Sequence, residues 1–177
     1  METGTVPRYL PDLIGAITRA LVLVVVVPLA TAFLFNIPIP STLALITTTL
    51  IIEYGAAPIG IGLGLHPVFV LYVLVCVASG IILVLYDVFD IMGAHSERVS
   101  GFLKRSSERA KRSSFLTRYG IYGLVPGVMT LGFYVCPPVS WVLGWPKTRS
   151  ILLIMAGYIT ISVVTILATI GIFSIIF

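Results

Sequence analysis

The sequence predicts an all-α integral membrane protein: three full transmembrane helices plus two re-entrant helical hairpins arranged as an inverted repeat, with an amphipathic helix on the cytoplasmic interface. Three observations lead there. The chain is 58% hydrophobic and only 10% charged, against about 25% charged residues in soluble domains, and its mean hydropathy is +1.11. Its apolar runs are long and unbroken, which implies helices and not the alternating pattern of a barrel. Two further apolar stretches are interrupted by clustered Gly and Pro in matching places of the two halves.

Taken in order, residues 1–40 form a polar lead and the first span. Leu13–Phe35 is apolar apart from Arg19 and a few small polar residues, and Pro28 is placed to kink it. Arg19 can snorkel to the cytoplasmic surface. The segment is long enough to act as an uncleaved anchor. Asn36–Ser41 then turns the chain without a charge.

Residues 41–88 form a hairpin and a span. Ser41–Glu53 is too short to cross: thirteen residues make about 20 Å of helix, against a hydrocarbon core of roughly 30 Å. Gly55, Pro58, Gly60, Gly62 and Gly64 follow at once, and Gly costs about 1 kcal/mol and Pro about 3 kcal/mol against Ala inside a helix. Ser41–His66 therefore reads as a half-helix in, a turn near Glu53–Pro58, and a return. Irregular backbone at membrane depth is tolerated only where protein buries it or water wets it. An ionisable residue beside such a break is a functional-site candidate, and Glu53 is that residue. Pro67–Tyr86 is a full span, closed by Asp87 and Asp90 at the inner surface.

Residues 89–118 hold most of the positive charge. Arg98, Lys104, Arg105, Arg109, Lys111, Arg112 and Arg118 are seven of the eleven Lys and Arg, and Val99, Phe102, Leu103 and Ala110 recur at helical spacing. This is the pattern of a basic amphipathic helix at the cytoplasmic interface, with Arg105, Arg109 and Arg112 facing anionic lipid headgroups. No nucleic-acid-binding motif accompanies the charge.

Residues 119–177 form a second hairpin and span. Tyr119–Trp145 carries Gly120, Gly123, Pro126, Gly127, Gly132, Pro137, Pro138 and Gly144, and Ser150–Phe177 is a long apolar helix. If Tyr119–Trp145 crossed once, Lys147 and Arg149 would face away from the basic segment, against the positive-inside tendency. If it enters and returns, all Lys and Arg lie inside and the N-terminus is cytoplasmic. Leu63-Gly64-Leu65-His66-Pro67 and Leu143-Gly144-Trp145-Pro146 then end equivalent hairpins that enter from opposite faces. Paired broken segments of this kind point to a transporter's binding site.

Pro58–Pro67 with the following span, then Tyr119-Gly120-Ile121-Tyr122-Gly123-Leu124, then Leu143–Arg149, resemble in order and spacing the putative small multi-drug export protein family over roughly residues 53–168. That family is similar to the DedA superfamily, membrane proteins described as having two re-entrant hairpins. The resemblance implies membrane transport. This chain departs from the family pattern at Tyr54, where an arginine is expected, and at Met129–Phe133 and Cys136-Pro137-Pro138, where the family has a Pro-x-Pro-Gly-Thr-Gly type of turn.

The functional expectation is a small transporter of the cell membrane, coupling export of small molecules to protons or translocating lipid phosphates. Glu53, Tyr54, Gly55, Pro58 and His66 are the candidate substrate- or proton-binding residues. With no Lys or Arg inside either hairpin, a carboxylate at depth can trade a proton for a cation. Half-helix N-termini facing a cavity would instead favour an anion such as a lipid phosphate. The alternative is a membrane-embedded scaffold or assembly partner that docks through its basic helix. An enzyme is not expected, since no nucleophile–base pair, paired carboxylates or metal-ligand cluster is present in the sequence. No cofactor and no metal are expected. Cys76 and Cys136 read as buried apolar residues. The expected partners are membrane lipids and a proton, small cation or lipid phosphate as substrate. A homodimer is expected because so few spans enclose little wet space.

Overall fold

The computed structural model describes residues 10–95 and 120–176. Among these residues all regular structure is helical. The basic amphipathic helix expected at 89–118 lies outside the described residues from Ser96 on, and so do Arg105, Arg109 and Arg112.

The first span is one helical rod in three pieces: α1 (Leu10–Leu21), a π-helical stretch at Val22–Val26, and α2 (Val27–Leu34). The wide turn falls where Pro28, which has no N–H to donate, interrupts the ladder. After a turn at Asn36, α3 (Ile39–Ile52) starts with Pro38 at its N-cap and another Pro in its first turn, a position where the missing N–H costs nothing. Its buried hydroxyls, Thr42 and Thr49, bond back to the carbonyls of Pro38 and Leu45, so they bring no unmet polar group into the bundle. The helix breaks into a 3₁₀ turn at Glu53–Ala56 and resumes as α4 (Ala57–Gly62), again with Pro in its first turn. The long helix α5 (Pro67–His95) runs well past the expected end at Tyr86. In the second half a 3₁₀ turn at Gly120–Gly123 leads into α6 (Leu124–Leu131), then α7 (Cys136–Val142) and the long α8 (Lys147–Ile176).

Four stretches are long and apolar enough to cross a membrane: Leu13–Leu34, Ile39–Gly62, Pro67–Ile91 and Lys147–Ile172. The protein is therefore a multi-pass membrane protein. The second stretch is not one rod. A Cβ on Gly60 would lie 3.0 Å from Leu45 Cδ1, whereas fifteen residues of continuous helix would hold them about 22 Å apart. The chain reverses at Glu53.

The order of contacts fixes which ends meet. Arg19 pairs with Asp87 at 3.2 Å, Gly80 faces Val24, and Thr31 bonds Tyr72 at 2.9 Å, so the first span runs antiparallel to α5. Residues 39–62 thus start and finish at the Pro67 end of the bundle. Helix α8 is antiparallel to α5 as well. Ser79 Oγ lies 3.7 Å from Met155 Sδ, and Lys147 Nζ lies 3.1 Å from Asp87 and 2.8 Å from Asp90. Lys147 therefore sits at the end where α5 finishes.

The turns that follow α4 and α7 are copies of each other. Leu63, Gly64, Leu65 and Val70 donate their N–H groups to Ile59, Ile61, Gly60 and His66; Leu143, Gly144, Trp145 and Ser150 donate theirs to Val139, Trp141, Ser140 and Pro146. Every donor and acceptor in the second set stands 80 residues beyond its counterpart. Gly64 and Gly144 both take positive φ, +77° and +68°, the conformation a helix-terminating Gly adopts without strain. Helices α5 and α8 begin on the same 80-residue step, at Pro67 and Lys147.

Small residues let these rods approach, as is usual where lipid supplies no hydrophobic drive between helices. On Gly80 a Cβ would meet Val24 Cγ2 at 2.6 Å and the Ala20 carbonyl oxygen only at 3.2 Å; on Gly157 its nearest neighbour would be backbone, the Val125 carbonyl oxygen at 2.9 Å, with Val125 Cα at 3.2 Å. A side-chain tip can swing aside and backbone cannot. Gly157→Ala is expected to lower the thermal midpoint in detergent more than Gly80→Ala, with a cost of about 1–3 kcal/mol. Equal or reversed effects would mean that α6 is not held against α8 by this contact.

Candidate functional site at the junction of the two hairpin tips

The break between α3 and α4 meets the break between α6 and α7. Glu53 has φ +58° and ψ −129°, a region that a residue with a Cβ enters at a cost of about 1–3 kcal/mol and that clusters at functional sites. That backbone turn directs its carboxylate onto the second tip, where Oε2 accepts the Phe133 N–H at 3.1 Å. The side chain lies over Gly132, whose added Cβ would stand 2.3 Å from both carboxylate oxygens. Gly132 itself has φ +82° and ψ 172°, a conformation proper to glycine. The acid occupies the space that the missing side chain leaves.

Two tyrosines tie the tips reciprocally. Tyr54 on the first donates to the Met129 carbonyl of the second at 3.3 Å; Tyr134 on the second donates to the Leu50 carbonyl of the first at 2.6 Å. These carbonyls belong to the final turns of α3 and α6, where helices leave acceptors unmet. Tyr54 and Tyr134 are themselves 80 residues apart.

Aromatic packing seats the junction on α8. The buried Phe133 ring stacks on Tyr134 at 4.4 Å and meets Tyr158 edge-on at 5.0 Å. Tyr158 stands eleven residues beyond Lys147, about 16 Å along the helix axis, near the middle of the apolar stretch Lys147–Ile172. Glu53 is within electrostatic reach of Tyr134, Cys136 and Tyr158. Among the described residues no Lys, Arg or His forms an ion pair with it, and no group of three metal-ligating side chains occurs.

A second polar cluster closes the Asp87 end. Asp87 holds Arg19 and Lys147; Asp90 holds Lys147 and accepts the Trp141 indole N–H at 2.9 Å. Lys147 Nζ also stands 5.7 Å above the Tyr86 ring, within cation–π range. A cavity of about 490 Å³ opens beside it, lined mainly by apolar residues of the first span together with Arg19, Asp87 and Lys147.

Of the residues singled out in the sequence, Glu53 and Tyr54 lie at the junction. Gly55 and Pro58 shape the turn: a Cβ on Gly55 would meet Ile52 Cγ2 at 2.7 Å, and Pro58 stands in the first turn of α4. His66 stands apart from them, exposed beyond the far end of α4, where its Nδ1 accepts the Val68 N–H at 3.3 Å. Gly132, Phe133, Tyr134 and Tyr158 were not anticipated. The recurrence of Tyr54 as Tyr134 was the available signal.

Because a methyl on Gly132 would take the carboxylate's place, Gly132→Ala is expected to displace Glu53 as well as strain the turn. In a Glu53→Ala background the steric part of that penalty has nothing left to act on. Thermal melts of the two single variants and the double variant should be non-additive; simple additivity would mean that the carboxylate does not rest on Gly132.

No curated protein and no solved structure matches the chain. A family model does, over residues 53–164, a stretch that opens at Glu53 and takes in both tips, both copied turns, all of α5 and most of α8. On that match the chain belongs to the family described as "Putative small multi-drug export protein".

Proposed function

We propose that this protein exports small molecules across the cell membrane in exchange for protons, with Glu53 carrying the proton or the cationic substrate. The observation that carries the reading is the placement of one acid, without a cationic partner among the described residues, where two helix breaks meet at mid-bundle. Ionisable groups at such depth serve transport when they face a path or cavity, and discontinuous helices bring backbone polar groups there as well. The family description, with its reference to multi-drug export, supports the same reading.

The junction favours a cation or proton over a lipid phosphate. The backbone N–H that an external anion would use, that of Phe133, is already taken by Glu53. The charged group is an acid, so a phosphate would meet repulsion.

In this proposal the two hairpins are re-entrant and related by a pseudo-two-fold axis in the membrane plane. The 80-residue recurrence of the turns, the antiparallel course of α5 and α8, and the return of residues 39–62 to the end they left all support it. So does the position of Lys147 beside Asp87 and Asp90, which puts the start of α8 at the end where the basic segment begins and, by the positive-inside tendency, at the cytoplasm. A relation to the DedA superfamily would account for the same pair of hairpins.

Purified protein in proteoliposomes loaded with a lipophilic cationic dye tests this. Under an imposed pH gradient, Glu53→Gln keeps the shape and an acceptor for the Phe133 N–H but cannot ionise. It is expected to insert and melt like the parent while proton-driven dye movement falls about a hundredfold or more, in line with the roughly 10²–10⁴-fold contribution of a positioned proton-transfer group. Dye movement equal to the parent's would remove Glu53 from the mechanism.

A further inference from the structure

The cavity beside Lys147 has no part in the reading of Glu53, and its shape and charge are particular. The first span and α8 both pack on α5. Helix α5 lines the cavity with Leu83 and Asp87, the first span with Ala16, Ala20 and Leu23 among others, and the start of α8 with Lys147. Its volume of about 490 Å³ falls in the span of ligand sites, about 300–1,000 Å³. Asp87 joins the two sides: Arg19 Nη2 lies 3.2 Å from its Oδ2 and Lys147 Nζ 3.1 Å from its Oδ1. The two cations therefore stand on either side of one carboxylate.

One end of the cavity is cationic and the rest is apolar. Arg19 gives its Nε–H to the Gly15 carbonyl at 3.2 Å and one Nη to Asp87; among the described residues its other Nη meets no acceptor. Lys147 gives two of its three N–H bonds to Asp87 and Asp90. Donors are in surplus, and Asp87 is already matched by both cations. A guanidinium with a spare Nη suits a phosphate. Ala16 and Ala20, one turn apart on α1, leave room beside Leu23 and Leu83. Asp87 lies in the last turns of the stretch Pro67–Ile91, and Lys147 opens the stretch Lys147–Ile172. The charged end is thus level with the ends of these apolar stretches, and the apolar part runs inward from it.

We propose that this cavity binds one anionic phospholipid of the surrounding membrane, with its phosphate between Arg19 and Lys147 and one acyl chain along Ala16, Ala20, Leu23 and Leu83. The phosphate uses the spare donors, so the pairs with Asp87 need not break. An amphipathic cation would fit the apolar part and be repelled by Arg19 and Lys147. Free phosphate would meet the same donors and leave the apolar wall empty. The site is independent of Glu53.

The chain's two tryptophans both report on this end: Trp141 bonds Asp90, and Trp145 stands two residues before Lys147. Their fluorescence is read in the purified full chain, reconstituted in phosphatidylcholine vesicles to which lipid brominated on its acyl chains is added. Half-maximal quenching of the parent is expected at several-fold less brominated phosphatidylglycerol than brominated phosphatidylcholine. Arg19→Gln removes the guanidinium, and Ala20→Leu fills the apolar part while keeping every charge; should the latter not fold, Thr18→Leu at the exposed rim replaces it. Each is expected to make the two lipids equal quenchers while the thermal midpoint in phosphatidylcholine stays near the parent's, and Glu53→Gln to keep the parent's preference. No preference in the parent, or one that survives Arg19→Gln, overturns the proposal. So does a preference lost in Arg19→Gln and kept in the filled variant, which would place the anion on the surface with no chain in the cavity. Stronger quenching by a brominated alkylammonium than by phosphatidylglycerol would make this a cation site and overturn it as well.

Discussion

Where a helix breaks, backbone groups lose their intrahelical partners, and this chain contains two such breaks among the described residues. They meet and satisfy each other. Glu53 accepts a backbone N–H from the second tip, while Tyr54 and Tyr134 cap carbonyls across the junction in opposite directions. Unmet, each of these groups would cost on the order of several kcal/mol in hydrocarbon. The strained backbone of Glu53 and the glycine-only conformation at Gly132 follow from this arrangement, because an acid can reach the second tip only if its own backbone turns outward and its target has no side chain.

The two halves share their construction and differ in their chemistry. The 80-residue step carries Tyr54 onto Tyr134, Pro58 onto Pro138 and the Leu-Gly turns onto each other, yet it carries Glu53 onto Phe133. The conserved parts of the plan are those that cap and terminate helices. The changed position is the one at the centre. A second carboxylate there would stand beside the first and repel it at short range. An aromatic ring instead packs on Tyr158 and leaves one acid alone among aromatic and small residues.

Much of this layout was legible because glycine and proline act through local backbone geometry. The turn at Glu53, the second broken segment, the long helix from Pro67, the long final helix, and the candidacy of Glu53 all came from that signal. The family resemblance came from the same residues. The pairing of the tips was not legible, because it joins residues about 80 apart through backbone atoms that any residue type supplies. Gly132 read as one more turn glycine, and nothing in its identity shows that it faces a carboxylate. The recurring turns are marked in the sequence by Leu63-Gly64 and Leu143-Gly144, but matching Pro67 to Pro146 is one residue out of register and hides the correspondence of the tyrosines. Lys147 was weighed only as a marker of topology. Its partners Asp87 and Asp90 lie on another helix, and antiparallel packing was needed to bring them together.

The two polar centres differ in what holds them. The ion pairs at the Asp87 end are partly open to solvent, with side-chain exposures of 71% for Arg19, 41% for Lys147 and 49% for Asp90, and pairs of that kind contribute about 0–1 kcal/mol each. At the tip junction Gly132, Phe133, Cys136 and Tyr158 are all buried, and its hydrogen bonds serve backbone groups with no other recourse. Separation at the Asp87 end costs little because water can replace each partner. Separation of the tips costs far more unless a proton, a cation or water takes the place of what is lost.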